Sequence, residues 1–183
     1  YLFEPGDDTT VCVLKAVKPK KVKLFSGPPS LKEDDAKVVH ELMNNADIRI
    51  VSGGTTSQIV ARELGVEVKS STEIYDKEVP PIAYIQGVDL VTEGVLTLSK
   101  TIDRLKSLSK SLDSDIFKAK DGASQMAKLL YSASHIKLLV GRSLNIANAE
   151  SSFQRDLELR LHVVGELEKI LVKLGKIVTV EYY

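Results

Sequence analysis

The chain has 183 residues, 43% hydrophobic and 27% charged, with 25 basic side chains balancing 25 acidic ones. That length supports one good-sized core, and a formal charge of zero argues against a nucleic-acid or anionic-membrane surface. No apolar run approaches the ~20 residues of a membrane span, and no signal peptide opens the chain. A cytoplasmic protein is therefore expected. The one cysteine, Cys12, lies between valines and can make neither an internal disulfide nor a metal cluster. It reads as a small buried hydrophobe in a reducing compartment.

Along the chain, a polar GDD cluster precedes the β-branched run TTVCVLKAV at 9–17, which predicts a strand. KPKK at 18–21 interrupts it as a short solvated connector and marks a boundary between residues 1–17 and 22–183. VKLFSGPPS is a short strand closed by a Gly-Pro-Pro turn. Val38, Val39, Leu42 and Met43 recur on one face of a helix over 31–45, stopped at Asn44-Asn45. ADIRIVSGG is the next strand, and TTSQIVARELG the next helix, with Gly65 at its C-cap position. VEVKS alternates like an edge strand, and PPIAYIQGVDL follows a Pro-Pro punctuation. Val95, Leu98, Ile102 and Leu105 then form a helical stripe, for which Thr92 is a candidate N-cap.

Residues 107–120 are Ser- and Lys-rich and read as a surface loop. Asp121 caps a helix that turns Met126, Leu129 and Leu130 inward, and HIKLLVGRS is a buried strand. Phe153, Leu157, Leu161, Val164, Leu167, Leu171 and Leu174 advance at a mean step of roughly 3.5 to 3.6 residues. They form a long amphipathic helix whose stripe is either core or the seam of a homodimer. Gly175 ends it, and KIVTVEYY is a last strand, either antiparallel or at an edge. Strands alternating with helices imply an α/β fold: a mostly parallel sheet with helices on both faces, in Rossmann-like layering.

In such sheets, ligands bind at the carboxyl ends of the strands. Four segments should gather there: Ser26–Pro29, Ser52–Thr56, Thr92–Gly94 and Gly141–Ser143. Glycines let a backbone approach a ligand, and free N–H groups at a helix start favour anions. Thr55 and Thr56 add hydroxyl donors, and Arg142 adds a planar charged fork. The candidate ligand-binding residues are Ser52, Gly53, Gly54, Thr55, Thr56, Thr92, Glu93, Gly141 and Arg142, and the ligand class is a small anion such as a nucleotide or phosphorylated metabolite. The plainer alternative is a tight strand-to-helix turn. Gly53-Gly54-Thr55-Thr56 lacks both the GxGxxG spacing of a dinucleotide site and the GK[ST] of a P-loop. Glu93 at a helix start is stabilised by the helix dipole with no catalysis required. His40, His135 and His162 lack metal-ligand spacing, and no serine or cysteine sits in a nucleophile motif, so no catalytic residue is assigned.

The opening GDDTTVCVLKA resembles the final motif of the type 2C metal-dependent protein phosphatases, in the bacterial stage II sporulation protein E branch. The resemblance implies that Asp7 is a ligand for Mn²⁺ or Mg²⁺, with Asp8 in the neighbouring asparagine position and Thr10 in the hydroxyl position. Hard divalent cations need such carboxylate oxygens, and a paired-metal site activates water against a phosphoester. The stretches VSGGTTSQIVARELG, VPPIAYIQGVDLVTEGVLTLSK and DGASQMAKLLYSASHIKLLVG resemble the region downstream of the phosphatase domain in some proteins of this branch. Residues 1–17 would then be the last piece of a serine/threonine phosphatase domain, and 18–21 a linker. Residues 22–183 would be an α/β companion domain that binds a ligand or regulates action on a phosphoprotein substrate. The family's earlier metal-binding carboxylates belong upstream of this stretch, so the resemblance implies an incomplete catalytic centre. A free-standing α/β enzyme or binding protein for a nucleotide or phosphometabolite remains the alternative, and an interaction module built on the 153–174 helix a third.

Overall fold

Val22, Leu24 and Phe25 show how the sheet is built. Successive side chains on β1 (Lys21–Ser26) point to opposite faces, and apolar residues on both sides require cover on both. The computed structural model describes residues 10–14, 16–110, 114–143 and 152–183. After β1 come α1 (Asp35–Met43), β2 (Ile48–Ser52), α2 (Gly54–Leu64), β3 (Lys69–Ser70), β4 (Ala83–Tyr84) and β5 (Leu90–Thr92). Then follow α3 (Val95–Leu108), α4 (Ser114–Lys118), α5 (Gly122–Ser132), β6 (His135–Val140), α6 (Ser152–Lys173) and β7 (Ile177–Tyr182). The strands form one seven-stranded sheet in the order β3-β4-β5-β2-β1-β6-β7. β5, β2, β1, β6 and β7 run parallel, while β3 and β4 add antiparallel to the β5 edge. The fold is α/β with Rossmann-like layering.

One face carries Val22, Leu24, Ile50, Leu90 and Leu138 against Leu98 and Leu105 of α3, Met126 and Leu130 of α5, and Leu167 and Leu171 of α6. The other carries Phe25, Val51, Val91 and Leu139 against Val38, Val39 and Leu42 of α1 and Val60 of α2. Neighbouring residues of one strand thus enter different cores, and each fully buried aliphatic side chain contributes about 1.5–3 kcal/mol. From Leu161 to Leu174 the α6 stripe lies in the first core. Asp121 caps α5 through its Oδ1, which accepts from the Ser124 N–H at 2.9 Å. Gly65 closes α2 in the left-handed region. Among the described residues no helix is long and apolar enough to cross a membrane.

Several expectations are corrected. The described part of 9–17 forms no strand: Val11, Val13 and Leu14 are 80%, 84% and 92% exposed, and Cys12 is exposed rather than buried. A strand needs a neighbour for its N–H and C=O groups, and this run pairs with no strand of the sheet, whose edges are β3 and β7. The 107–120 segment is not simply loop, because α3 runs to Leu108 and α4 buries Ile116. Lys21 belongs to β1 rather than to the connector. The helix expected from residue 31 opens as a 3₁₀ turn at Lys32–Asp34. Thr92 is the last residue of β5, and Gly94 occupies the N-cap of α3. β7 is an edge strand but parallel, because α6 carries the chain back across the sheet before it pairs with β6.

One polar cluster sits against the second face. Lys23 of β1 and Lys137 of β6 are register neighbours, a like-charge juxtaposition that is unfavourable by itself. Glu41 of α1 answers both, at 2.6 Å from Lys23 Nζ and 2.8 Å from Lys137 Nζ. Lys137 also reaches Glu181 at 2.5 Å, and the Tyr183 hydroxyl donates to Glu181 at 2.9 Å. The hydrogen bonds from Lys137 and Lys23 hold the Glu41 carboxyl below the usual carboxylate range, and Lys137 together with Tyr183 does the same for Glu181. A carboxylate whose pKa is depressed by folding adds stability above its unfolded pKa, near 4.3 for glutamate, and loses it as pH falls through the folded value. Glu41→Gln should therefore cost about 1–2 kcal/mol at neutral pH and flatten the loss of stability below about pH 4.3. Urea unfolding of both proteins across that range checks it, and equal stabilities at pH 7 would contradict it.

Candidate functional site

β1, β2 and β5 end side by side, with Ser26 opposite Ser52 and Ser52 opposite Thr92. Beyond these residues the chain turns into the loops leading to α1, α2 and α3. The turns are laced together by hydrogen bonds. Gly53 N–H donates to Thr92 O at 3.0 Å, and Ser52 Oγ donates to Glu93 O at 2.9 Å. Gly27 N–H donates to Thr56 Oγ1 at 3.0 Å, and Ser57 Oγ to Gly54 O at 2.7 Å. Gly53 enters α2 at φ +122°, a region that glycine adopts without strain. A cleft of about 170 Å³ opens between the three turns.

Two features bring positive charge to the cleft, whose lining also includes the carboxylate residue Glu93. α2 and α3 both begin at glycine N-caps with no side-chain cap, and the first residues of both helices line it. Uncapped N–H groups and the helix dipole leave partial positive charge at such ends. The second source is Arg160, half-buried on α6, which packs against Gly27 and lies 3.4 Å from Gly141 O through Nη1. Among the described residues it forms no salt bridge, and Asp156 attracts it only through space. Burial pushes its pKa below the usual arginine range, although a guanidinium remains charged at neutral pH.

The residues expected to meet here are placed as follows. Ser52, Gly53, Gly54, Thr55, Thr56 and Glu93 line the cleft. Gly54, Thr55 and Glu93 are exposed, whereas Ser52 and Thr56 are buried and have their hydroxyls committed to Glu93 O and Gly27 N–H. Thr92 is buried behind the wall, with its hydroxyl donating to Glu93 O at 3.0 Å. Gly141 is a brace: its N–H donates to Ser26 O, and a Cβ on it would stand 2.1 Å from Pro28 O. Arg142 is not in the cleft. It is exposed, with its guanidinium 5.4 Å from the Tyr182 ring centroid and its N–H bonded to Tyr183 O. The loop after β6 is tied to the end of the neighbouring β7, and that pulls Arg142 away. The cation that does line the cleft, Arg160, was not expected; its only sequence signal is one arginine beside the leucines of the α6 stripe.

Asp7 and Asp8 lie outside the described residues. His40, His135 and His162 are exposed on separate elements, and among the described residues no group of three or more His, Cys, Asp or Glu is placed to hold a metal.

The glycines separate bracing from open space. A Cβ on Gly54 meets nothing within 4 Å, whereas one on Gly141 strikes backbone. Gly141→Ala should therefore destabilise by about 3 kcal/mol, and Gly54→Ala should stay within about 0.5 kcal/mol of the parent; denaturant unfolding distinguishes them, and the reverse order would refute the packing described. Neither a protein-family model, nor a curated protein, nor a solved structure matches this chain.

Proposed function

We propose that the α/β domain binds a small anionic ligand carrying a phosphate group, seated in the cleft at the ends of β1, β2 and β5. The observation that carries this reading is Arg160. It is a half-buried guanidinium without a carboxylate partner among the described residues, and it lines the same cleft as two uncapped helix starts. Leaving such a charge unpaired is costly, and an anion would complete it with charge-assisted hydrogen bonds of about 1.5–3 kcal/mol each. The lining favours binding over turnover. Of its titratable groups Arg160 stays a cation, and Glu93 is exposed, with no second proton-exchanging group lining the cleft among the described residues.

A second reading extends the first: the domain is the regulatory part of a metal-dependent serine/threonine phosphatase acting on a phosphoprotein. Its support is the exposed run holding Val11, Val13 and Leu14, which among the described residues has no partner in the α/β sheet. That is how a strand belonging to a neighbouring sheet would look by itself. Asp7 and its Mn²⁺ or Mg²⁺ would belong to that neighbour. The coding sequence upstream of Tyr1 decides this reading: in-frame metal-binding carboxylates support it, and a start codon directly before Tyr1 ends it.

The anion reading is tested with inorganic phosphate and pyrophosphate. Both should raise the melting temperature, since a ligand at 100 times its Kd adds about 2.7 kcal/mol. Arg160→Met should weaken binding at least about tenfold, the loss of roughly 1.4 kcal/mol. Phosphate shifts no larger than those of chloride, or an Arg160→Met protein that binds as well as the parent, would overturn the reading.

A further inference from the structure

The cleft adjoins a second cavity across Gly54. On the other side of Gly54 and Glu93 a second cavity of about 310 Å³ opens between α2 and the strands β3 to β5. Its walls are mainly apolar, formed by Val68, Pro80, Ile82 and Ala83, with the Gln58 amide and the Ser70 hydroxyl among its polar groups. Gly54 and Glu93 line both cavities. Gly54 has no side chain to close the passage, and the space above it is clear to 4 Å. The first cavity by itself is smaller than the about 300–1,000 Å³ usual for small-molecule sites, and the two joined fall within that range.

The chemistry changes in a definite order along this groove. It begins with a positive cup made of helix starts and a guanidinium. At the junction stands a carboxylate, Glu93, which wants a hydrogen-bond donor and repels a second anion. Beyond it lies a slot whose apolar walls suit a flat ring, with an amide and a hydroxyl for its polar edge. A molecule matching that order carries one phosphate, then hydroxyls, then a planar heterocycle. We propose that the groove binds a nucleoside 5′-monophosphate, with the phosphate in the cup, the ribose hydroxyls at Glu93 and the base in the slot. Further phosphates would run toward Glu93 or out of the small cup, so di- and triphosphates are disfavoured. This rests on the anion reading above and adds the class of molecule attached to the anion.

Equilibrium titration of the protein with AMP, GMP, CMP and UMP, alongside ribose 5-phosphate and inorganic phosphate, tests it. At least one of the four should bind tenfold or more tightly than ribose 5-phosphate, and more tightly than its own triphosphate. Ser70→Trp, at an exposed position on β3, should reduce that advantage to under about twofold by filling the slot. Gln58→Trp, exposed on α2, provides the same obstruction from the opposite wall should the β3 variant not fold. If ribose 5-phosphate binds as tightly as every nucleotide, or the tryptophans leave the nucleotide advantage intact, the slot assignment is overturned and the anion reading stands. If neither phosphate nor any nucleotide binds, the anion reading falls and takes this one with it.

Discussion

The whole arrangement depends on β1 being buried on both faces. Parallel neighbours on either side satisfy its backbone, and its alternating side chains enter two separate cores. A parallel strand cannot return by a hairpin, so every connection to its neighbours must cross a face of the sheet. Helices α1 and α2 accordingly cover one face, and α3, α5 and α6 the other. The carboxyl ends of β1, β2 and β5 are left side by side at one rim, with only short turns above them. The cleft lies among these turns, with Arg160 of α6 in its lining.

Electrostatics separates that rim from the remainder of the molecule. Lys23 and Lys137, forced together by the register of β1 and β6, share Glu41, and Glu181 adds a second carboxylate. Arg62 and Arg104 also have carboxylate partners. Arg160 has none among the described residues, although it is half-buried and would gain from one. The helix starts beside it carry glycine where α5 carries the capping carboxylate of Asp121. Arg49 and Lys176 also lack a carboxylate but donate to backbone carbonyls at 3.2 Å and 2.5 Å, whereas Arg160 reaches its carbonyl only at 3.4 Å.

The turn Gly53-Gly54-Thr55-Thr56 divides between bracing the fold and lining the cleft. Gly53 and Thr56 serve the fold, one by its φ and the other by accepting from Gly27 N–H. Gly54 and Thr55 face solvent and the cleft. A tight turn and an anion cradle are therefore compatible readings, because the outer two positions brace the fold and the inner two are exposed at the cleft.

Local pattern in the chain was enough for the layered α/β class, most helices and strands, the Asp121 cap, the Gly65 stop and the three turns at the cleft. All of these follow from hydrophobic period and glycine placement within a few residues. The unpaired state of Val11, Val13 and Leu14 was not legible, because β-propensity describes a willingness to pair and says nothing of whether a partner is free. Nor was the exchange of Arg142 for Arg160. Arg142 follows a strand, as a ligand-binding residue should, yet the loop it belongs to is held at β7. Arg160 is remote in sequence and reaches the cleft only because α6 packs across the sheet beneath it. Near-neighbour pattern was enough to mark most of the strands, helices and turns, since those depend on residues close in the chain. Which charge stands over which turn was decided by tertiary structure alone, because it depends on the packing of a helix more than a hundred residues away.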